Sequence, residues 1–255
     1  MLPWQTGSLL AGDPIMDSWV TGPVLGIETS GRLTGLALVA EGKLLGENSV
    51  DLGASTQELL PGILQDILDR HGLTLPDLSR IGVSLGPGSF TGLRVGLAWA
   101  RALAAGSGVP LAGIPSHVAL AFQARSTEGQ VLLLTSLRRG LVCLELGQWE
   151  DDGRWKAILA GASVPVEAWS KRVRPYLRED VPLVCLGEAV EAAFKIDAGL
   201  RPRSELRSDV LGILRRPAPI AFLASRLDEP TYVEEQLEDL KLLYLRDADA
   251  KKPEA

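Results

Sequence analysis

The sequence has few of the residues that build metal, disulfide and membrane-spanning sites. It contains two cysteines and two histidines in 255 residues, and Cys143 and Cys185 each lie in an apolar, strand-like run. The cysteines and histidines are far apart in sequence, so no zinc-ligand spacing exists, and buried free thiols in a reducing compartment are expected. No apolar run approaches the roughly 18 residues of a membrane span. These absences exclude a disulfide scaffold, a zinc module and a transmembrane protein.

An excess of basic charge is also missing, because the net charge is −6 and the pI is about 5.1. A domain that binds nucleic acid by itself is expected to show a basic face. The basic residues form short clusters, such as Arg138-Arg139 and Arg215-Arg216, and such clusters are usually solvated surface. We therefore expect any contact with RNA to need a partner protein.

Residues 1–23 mix Pro, Gly and Trp without periodicity, and Met16 is a plausible internal start. We interpret them as a flexible N-terminal extension. The first basic residue is Arg32, so the charged region of a signal peptide is missing. The sequence therefore predicts a cytoplasmic protein.

From residue 24 onward, short apolar runs alternate with turn signals and predict the order β-β-β-α-β-α-β. The predicted elements are strands at 24–28, 33–40 and 43–50, a helix from Ser55 to about 71, a strand at 80–85, a helix to about 106, and a strand at 109–113. Ser55 and Glu58 form a predicted capping box, and Pro61 inside this helix is expected to bend it mildly. The second half repeats the order more loosely, with strands predicted at 131–137, 141–146, 155–160 and 181–186. This pattern indicates two α/β lobes.

The most informative stretch is the glycine-rich turn Gly86–Gly92 between a strand and a helix. Such a turn can hold phosphate on the backbone amides of a helix N-terminus. However, Thr91 stands where the dinucleotide fingerprint requires Gly, and no Gly-Lys-Ser/Thr follows as in a P-loop. Two interpretations stay open, a tight turn with close helix packing or a nucleotide or anion loop. The residues of the candidate loop are Glu28, Gly86, Gly88 and Ser89.

His117 begins a predicted helix, and Ala121 stands one turn further on where a second metal ligand would be needed. A histidine at a helix start without a catalytic role is the favoured interpretation. A triad of Ser136, His117 and a distant Asp stays open, although nothing in the local sequence supports it.

Three blocks of the sequence resemble the bacterial TsaB family. They are Leu25–Ser30, Thr56–Pro61 and the run Gly-Pro-Gly-Ser-Phe-Thr-Gly-Leu-Arg-Val-Gly at 86–96, which is very close to the hallmark of that family. Their order and spacing agree with the family, and Tyr244–Arg246 resembles its closing motif. The resemblance covers essentially the folded body, most firmly up to residue 125.

The resemblance implies the actin/Hsp70-like (ASKHA) fold, which belongs to the α/β class and has two lobes, each with a mixed sheet flanked by helices. On this basis we assign 24–113 plus about 216–255 to the first lobe and 114–215 to the second.

The resemblance also implies a role in transfer RNA modification. TsaB pairs with its larger paralogue TsaD and works with the ATPase TsaE. The complex uses ATP and moves a threonylcarbamoyl group from its adenylate onto the adenosine next to the anticodon in ANN-decoding transfer RNAs. Because TsaD carries the metal and the chemistry, we expect this chain to be non-catalytic, to bind no cofactor tightly and to meet transfer RNA through the complex.

TsaD itself is the rival identification, because it also begins with an Ile-Glu-Thr-Ser segment. It carries a His-x-x-x-His iron-binding pair in the region where this chain has His117 followed by Ala121. The chain is also short for TsaD, which favours TsaB.

By resemblance, the two first-lobe helices join TsaD, and without TsaD the same surface is able to form a homodimer. The first helix has a wide stripe of paired apolar residues, and the second is small and apolar nearly all round, so we expect it to pack on more than one side. The predicted contact residues are Leu59, Leu60, Ile63, Ile67, Val95 and Trp99. Packing against their own sheet explains each of them equally well. We expect Ile63→Asp to abolish TsaD binding and leave a folded protein.

An alternative of a different class is an actin-like ATPase or nucleotide-binding protein with its own activity. Its site would be Glu28 and the loop at 86–88.

Overall fold

A computed structural model describes residues 19–51, 59–126, 128–138, 140–151, 153–197, 214–226 and 231–243. In these residues the strands are β1 (Pro23–Glu28), β2 (Thr34–Ala40), β3 (Lys43–Val50), β4 (Arg80–Ser84), β5 (Leu111–Ile114), β6 (Gln130–Arg138), β7 (Leu141–Trp149), β8 (Trp155–Pro165), β9 (Leu183–Leu186) and β10 (Thr231–Tyr232). The α-helices are α1 (Leu60–Arg70), α2 (Phe90–Ser107), α3 (Ser116–Phe122), α4 (Trp169–Val173), α5 (Val190–Ile196) and α6 (Pro217–Ala224). Short 3-10 helices lie at Leu75–Asp77, Val166–Ala168, Arg174–Tyr176 and Glu234–Asp239.

The strands form two mixed sheets. The first has the order β10-β5-β4-β1-β2-β3, and the second has the order β8-β7-β6-β9. In each sheet an antiparallel meander of three strands continues into a strand that lies parallel to the first strand of the meander. The predicted order β-β-β-α-β-α-β is confirmed for the first sheet, and the actin/Hsp70-like fold class is confirmed as well.

The two faces of the first sheet are covered by different helices. Alternate residues of β1 point to opposite faces, so Leu25 and Ile27 join the core under α1 and α2, whereas Val24 joins the core with α6. Gly26 faces α6, and a Cβ at this position would lie 2.5 Å from the backbone nitrogen of Ala221. The glycine is therefore required by the close approach of α6 to the sheet.

Helix α3 lies between the two sheets. Ala119 and Phe122 belong to the core with α6 and the first sheet, and Leu120 and Ala121 belong to the core with the second sheet. Helices α4 and α5 cover the other face of the second sheet, where Trp169 is fully buried. The resulting order of layers is helices, first sheet, α3 with α6, second sheet, helices.

Several details of the sequence-based prediction are corrected. Helix α1 begins at Leu60, so Pro61 lies in its first turn, where a missing backbone donor costs little, and the bend expected there is not needed. The predicted cap residues Ser55 and Glu58 lie outside the described residues. Between β8 and β9, helix α4 is short and is flanked by two 3-10 turns.

The N-terminal extension is shorter than predicted. Trp19 forms a β-bridge with Arg226, and the Val20 amide donates a hydrogen bond of 2.7 Å to the carbonyl of Ser225. Residues 19–23 thus belong to the fold, and the rest of the extension lies outside the described residues. The other lobe boundaries stay a prediction.

No helix in the part of the chain that the structure describes has both the length and the apolar character to cross a membrane.

Candidate functional site

Helix α2 is the longest helix among the described residues, and two local signals set its ends. The Ser89 hydroxyl caps its start by accepting a hydrogen bond of 3.2 Å from the Gly92 amide. Gly108 ends it in the left-handed conformation, with φ of 73°. The glycine-rich turn therefore leads directly into a well-defined helix.

The inner face of α2 is close to the end of β1. Side chains added at Gly92 and Gly96 would overlap Thr29, so these glycines allow the helix to approach the strand. Leu93, Leu97 and Ala100 on the same face are buried in the first-sheet core or against it. This confirms close helix packing as one role of the glycine-rich stretch.

The outer face of α2 is exposed, and beyond Arg94 it is nearly smooth. Ala98, Ala102, Ala105 and Gly106 are all exposed, at spacings of four, three and one residues that place them on one side of the helix. We call this set the small-residue stripe. Within this chain α2 contacts the first sheet and the 3-10 helices at Glu234–Asp239 and Leu75–Asp77, and this outer side stays uncovered.

The structure divides the predicted contact residues into two groups. Leu59 is 44% exposed, and Val95 and Trp99 are half-buried beside the small-residue stripe. Leu60, Ile63 and Ile67 are instead buried in the core under α1.

This burial overturns one expectation from the sequence. Ile63 is 9% exposed, so an aspartate there would place a charge in the core of the chain. The expectation that Ile63→Asp leaves a folded protein is therefore wrong. The apolar stripe of α1 is wide because it covers the sheet.

Residues that the sequence analysis missed flank the same surface. Phe90 is 55% exposed, and the Arg94 guanidinium carbon lies 4.4 Å from the centre of its ring. The spacing of alanines along α2 was the available signal for the small-residue stripe. The small residues of α2 were noted in the sequence, but the large apolar residues were chosen as the predicted contacts.

The candidate loop residues Glu28, Gly86, Gly88 and Ser89 lie close together where β1 and β4 end. The Ser89 amide donates to the carbonyl of Ser30 at 2.8 Å. The Gly86 amide donates to the Ser116 hydroxyl at 3.0 Å, and the Gly86 carbonyl accepts from the Ser116 amide at 2.8 Å. Backbone amides of two of the four residues are thus used within the chain.

Glu28 is fully buried beneath this loop. Its Oε1 accepts a hydrogen bond of 2.5 Å from the Ser30 amide, while Oε2 has no partner among the described residues. Burial raises the pKa of the Glu28 carboxyl, and the positive charge of Arg215 and hydrogen bonds from Ser30 and Ser84 partly oppose that rise.

Arg215 fills the space between this loop and the second sheet, and the sequence analysis missed it. Its Nη1 donates to the Ser30 carbonyl at 2.8 Å, to the Ser30 hydroxyl at 2.9 Å and to the Pro87 carbonyl at 2.9 Å. Its Nη2 donates to Glu188 Oε1 at 3.0 Å. We call these four residues the Arg215 junction. Sequence reasoning did not find it because Arg215 is 185 positions from Ser30.

His117 lies in a separate buried cluster on the second sheet. Its Nε2 is 3.0 Å from the Thr135 hydroxyl and its Nδ1 is 3.3 Å from Glu145 Oε2 and 3.9 Å from the Cys143 sulfur. Burial disfavours the charged imidazole, but the Cys143 sulfur and the Glu145 carboxylate outweigh that effect and raise the pKa of His117 to about 10.

The His117 partners bear on the triad that the sequence left open. The neighbour of the imidazole is Thr135, whereas the exposed Ser136 donates its amide to Glu188 at 3.1 Å. His117 is itself 2% exposed. The structure therefore does not bring Ser136 and His117 together as a nucleophile and its base.

Comparison with protein families and curated sequences gives consistent matches. The profile of the family described as TsaD, tRNA N6-adenosine threonylcarbamoyltransferase, matches residues 54–161. The tRNA threonylcarbamoyladenosine biosynthesis protein TsaB of Bacillus subtilis is 27% identical over 210 residues, covering 78% of this chain and 86% of that protein. The TsaB protein of Escherichia coli is 31% identical over 134 residues, covering 52% of this chain and 58% of that protein.

Among solved structures, one described as an uncharacterized protein with similarity to peptidase YEAZ, from Pseudomonas aeruginosa, superposes with a TM-score of 0.71. It shares 20% sequence identity, and the superposition covers 89% of this chain and all of that one. At this identity the likeness supports the fold alone, and it extends over both sheets.

Proposed function

Because the chain belongs to the TsaB family, we propose that it is the non-catalytic partner subunit of a tRNA threonylcarbamoyladenosine-forming complex. In this role it binds a TsaD-like paralogue through α2 and supports the transfer that the paralogue performs on ANN-decoding transfer RNA. A TsaE-like ATPase supplies the ATP-dependent step. The chain contacts transfer RNA as part of the complex, in the cytoplasm. Its place in the biosynthesis of this modified nucleoside is supported by the names of its relatives.

The observation that carries the proposal is the small-residue stripe. From Ala98 onward, Ala98, Ala102 and Ala105 leave α2 without long side chains that would hold a second helix away. Helices pack closely when small residues lie at their contact, with axes about 8–10 Å apart. Val95 and Trp99 provide half-buried apolar area at the margin of the stripe, and such partly exposed aromatics are typical anchors of protein interfaces.

The neighbouring part of α1 fits the same contact. Leu59 is 44% exposed just before the helix, and a Cβ added at Gly62 would meet nothing within 4 Å. The surface next to α2 is therefore open at this point. In the absence of the paralogue, a second copy of this chain is a suitable occupant of the same surface.

The buried polar groups support a non-catalytic role. Both ring nitrogens of His117 are engaged by the chain itself, and Ala121 stands where a second metal-binding histidine would be needed. At the candidate nucleotide loop, the carbonyls of Ser30 and Pro87 face a guanidinium. Carbonyl oxygens repel phosphate, so this geometry favours the partner subunit over the ATPase alternative.

The test is reconstitution of the complex from purified components. We expect threonylcarbamoylation of transfer RNA by the TsaD-like and TsaE-like proteins to need this chain in about equal molar amount, with ATP and the threonylcarbamoyl adenylate supplied. Formation of the modified nucleoside would be measured by mass spectrometry. Full activity without the chain would contradict the proposal, and ATP turnover by the isolated chain in calorimetry would favour the ATPase alternative.

A further inference from the structure

The Arg215 junction occupies the place where folds of this class hold their ligands. In open α/β sheets, ligands bind in the crevice beyond the carboxyl ends of the parallel strands. Ser30 and Pro87 follow the parallel strands β1 and β4 of the first sheet, and Glu188 follows β9, which is parallel to β6 in the second sheet. The crevice between the two sheets is therefore lined by both.

The crevice already contains a charged group from the chain itself. Arg215 is 3% exposed, although an unpaired buried charge costs several kcal/mol. The Ser30 and Pro87 carbonyls, the Ser30 hydroxyl and the Glu188 carboxylate compensate this charge with four hydrogen bonds of 2.8–3.0 Å. The charge is thus matched by acceptors from both sides.

The glycine-rich turn is shaped around this guanidinium. A Cβ at Gly88 would overlap Arg215 Nη1 and the carbonyl of Ser30. Gly88 therefore serves the approach of Arg215, and the turn presents carbonyl oxygens to it. A site of this kind selects a planar hydrogen-bond donor with positive charge.

The residues next to Arg215 fix its segment in place. The Leu214 carbonyl accepts from Gln123 Nε2 at 3.0 Å, and the Arg216 side chain pairs with Glu47 on β3. The Ala218 amide at the start of α6 donates to Glu47 Oε1 at 3.2 Å. The guanidinium is therefore delivered by a segment that contacts α3 and the first sheet at several points.

We propose that the crevice between the sheets is a guanidinium-binding site whose occupant is Arg215. The side chain takes the place of a separate ligand and links the loops of the first sheet to Glu188 of the second. This occupancy excludes anions from the glycine-rich turn and holds the two sheets together without any cofactor.

Chemical rescue tests the proposal. Arg215→Ala leaves a cavity bounded by acceptors, and we expect its melting temperature to fall by on the order of 10 °C. Roughly 20 mM guanidinium chloride, far too dilute to denature, is expected to restore at least half of that loss. Sodium chloride at the same ionic strength is expected to restore none of it. Arg32→Ala is the matched control, because Arg32 pairs with Asp51 on the surface with a side chain that is 72% exposed.

A second variant keeps the test decisive if Arg215→Ala does not fold. Arg215→Lys retains the charge, but its compact ammonium is unable to span acceptors on both sheets, so we expect a melting temperature below that of the wild type. Because the lysine occupies the crevice and repels a second cation, guanidinium should give this variant no gain. A lysine variant as stable as the wild type would overturn the proposal. For Arg215→Ala, equal gains from guanidinium and sodium chloride would overturn the proposal. So would an Arg215→Ala melting temperature within about 2 °C of the wild type, since that difference corresponds to less than 1 kcal/mol.

Discussion

On the first sheet, the outer helix α2 exposes Ala98 and Ala102, whereas on the second sheet helices α4 and α5 expose Lys171, Arg172 and Lys195. Long charged side chains are strongly hydrated and lose rotamer freedom when they are buried. Alanine loses none. The outer face of the first sheet is thus ready to be covered by another helix, while that of the second sheet is suited to water.

The two sheets also differ in how their buried polar groups are satisfied. Beside the first sheet, Glu28 Oε2 and Thr29 Oγ1 have no hydrogen-bond partner among the described residues. On the second sheet, His117 is bonded at both ring nitrogens, and Glu145 Oε1 accepts from Trp155 Nε1 at 2.8 Å. The buried polar groups of the second sheet are therefore hydrogen-bonded within it. Beside the first sheet, the positive charge of Arg215 partly compensates the buried carboxyl of Glu28.

The largest expected change in stability comes from a charge on the side of α1 or α4 that packs against its sheet. Ile63→Asp on α1 and Val173→Asp on α4 should each lower the free energy of unfolding by at least about 4 kcal/mol, because Ile63 is 9% exposed and Val173 is fully buried. Urea denaturation followed by circular dichroism measures this change. The exposed controls Gln65→Asp and Lys171→Asp should stay within about 1 kcal/mol of the wild type. A stable Ile63→Asp protein that has lost its partner would show that α1 turns its inner face outward.

A smaller effect, on partner affinity, should distinguish the exposed face of α2 from that of α5. Ala102→Arg on α2 should weaken binding of the TsaD-like paralogue about 100-fold, because a long charged side chain would hold the partner helix away. Ala192→Arg on α5 is the matched control, since Ala192 is also an exposed helical alanine. It should leave the affinity unchanged, and calorimetric titration measures both.

Neither arginine substitution should shift the melting temperature by more than about 2 °C, because both positions are exposed. Equal loss of affinity in the two variants would show that the exposed face of α2 is not the specific binding surface for the paralogue.

The last test concerns pH and the buried polar groups of the second sheet. The pKa of His117 is raised to about 10 in the folded chain. A raised pKa contributes stability that is fully present below the unfolded value of about 6.5 and is lost as pH rises through about 10. We expect wild-type stability to fall as pH rises through this window, because His117 loses its proton.

Glu145→Gln removes the negative charge beside His117 and keeps an acceptor for Trp155, so its stability should depend less on pH between 7 and 9.5. Thermal unfolding at several pH values compares the two proteins. Parallel pH profiles would mean that His117 is neutral in the folded chain.

Much of the first sheet was predictable because its signals are local. Alternating apolar runs and tight turns predicted β1, β2 and β3, and the glycine-rich turn marked the start of α2. The sequence was misleading for the apolar stripe of α1, because either a partner interface or the chain's own core produces such a stripe. The stripe that includes Ile63 and Ile67 is the mark of any amphipathic helix, and burial in the chain's own core explains it.

The Arg215 junction was not predictable in the same way. Arg215 and Arg216 form a short basic cluster of the kind that is usually solvated, and their acceptors come from distant parts of the chain. Gly88 was recognised as important, but its neighbour was not. Only the assembled fold shows that the turn accommodates an arginine, because no local spacing encodes that contact.

The position of α6 has a consequence for how the protein is made. Residues 217–224 cover the face of β1, β2 and β4 that carries Gly26 and Gly82, and Arg80 on β4 donates to the Ala224 carbonyl at 2.8 Å. This helix leaves the ribosome after the whole of the second sheet. After synthesis, β1, β2 and β4 therefore keep one apolar face uncovered until α6, which is encoded more than one hundred residues later, has been made. Synthesis of the N-terminal half alone yields a sheet without its second cover, and an exposed apolar face of this kind promotes aggregation unless chaperones shield it.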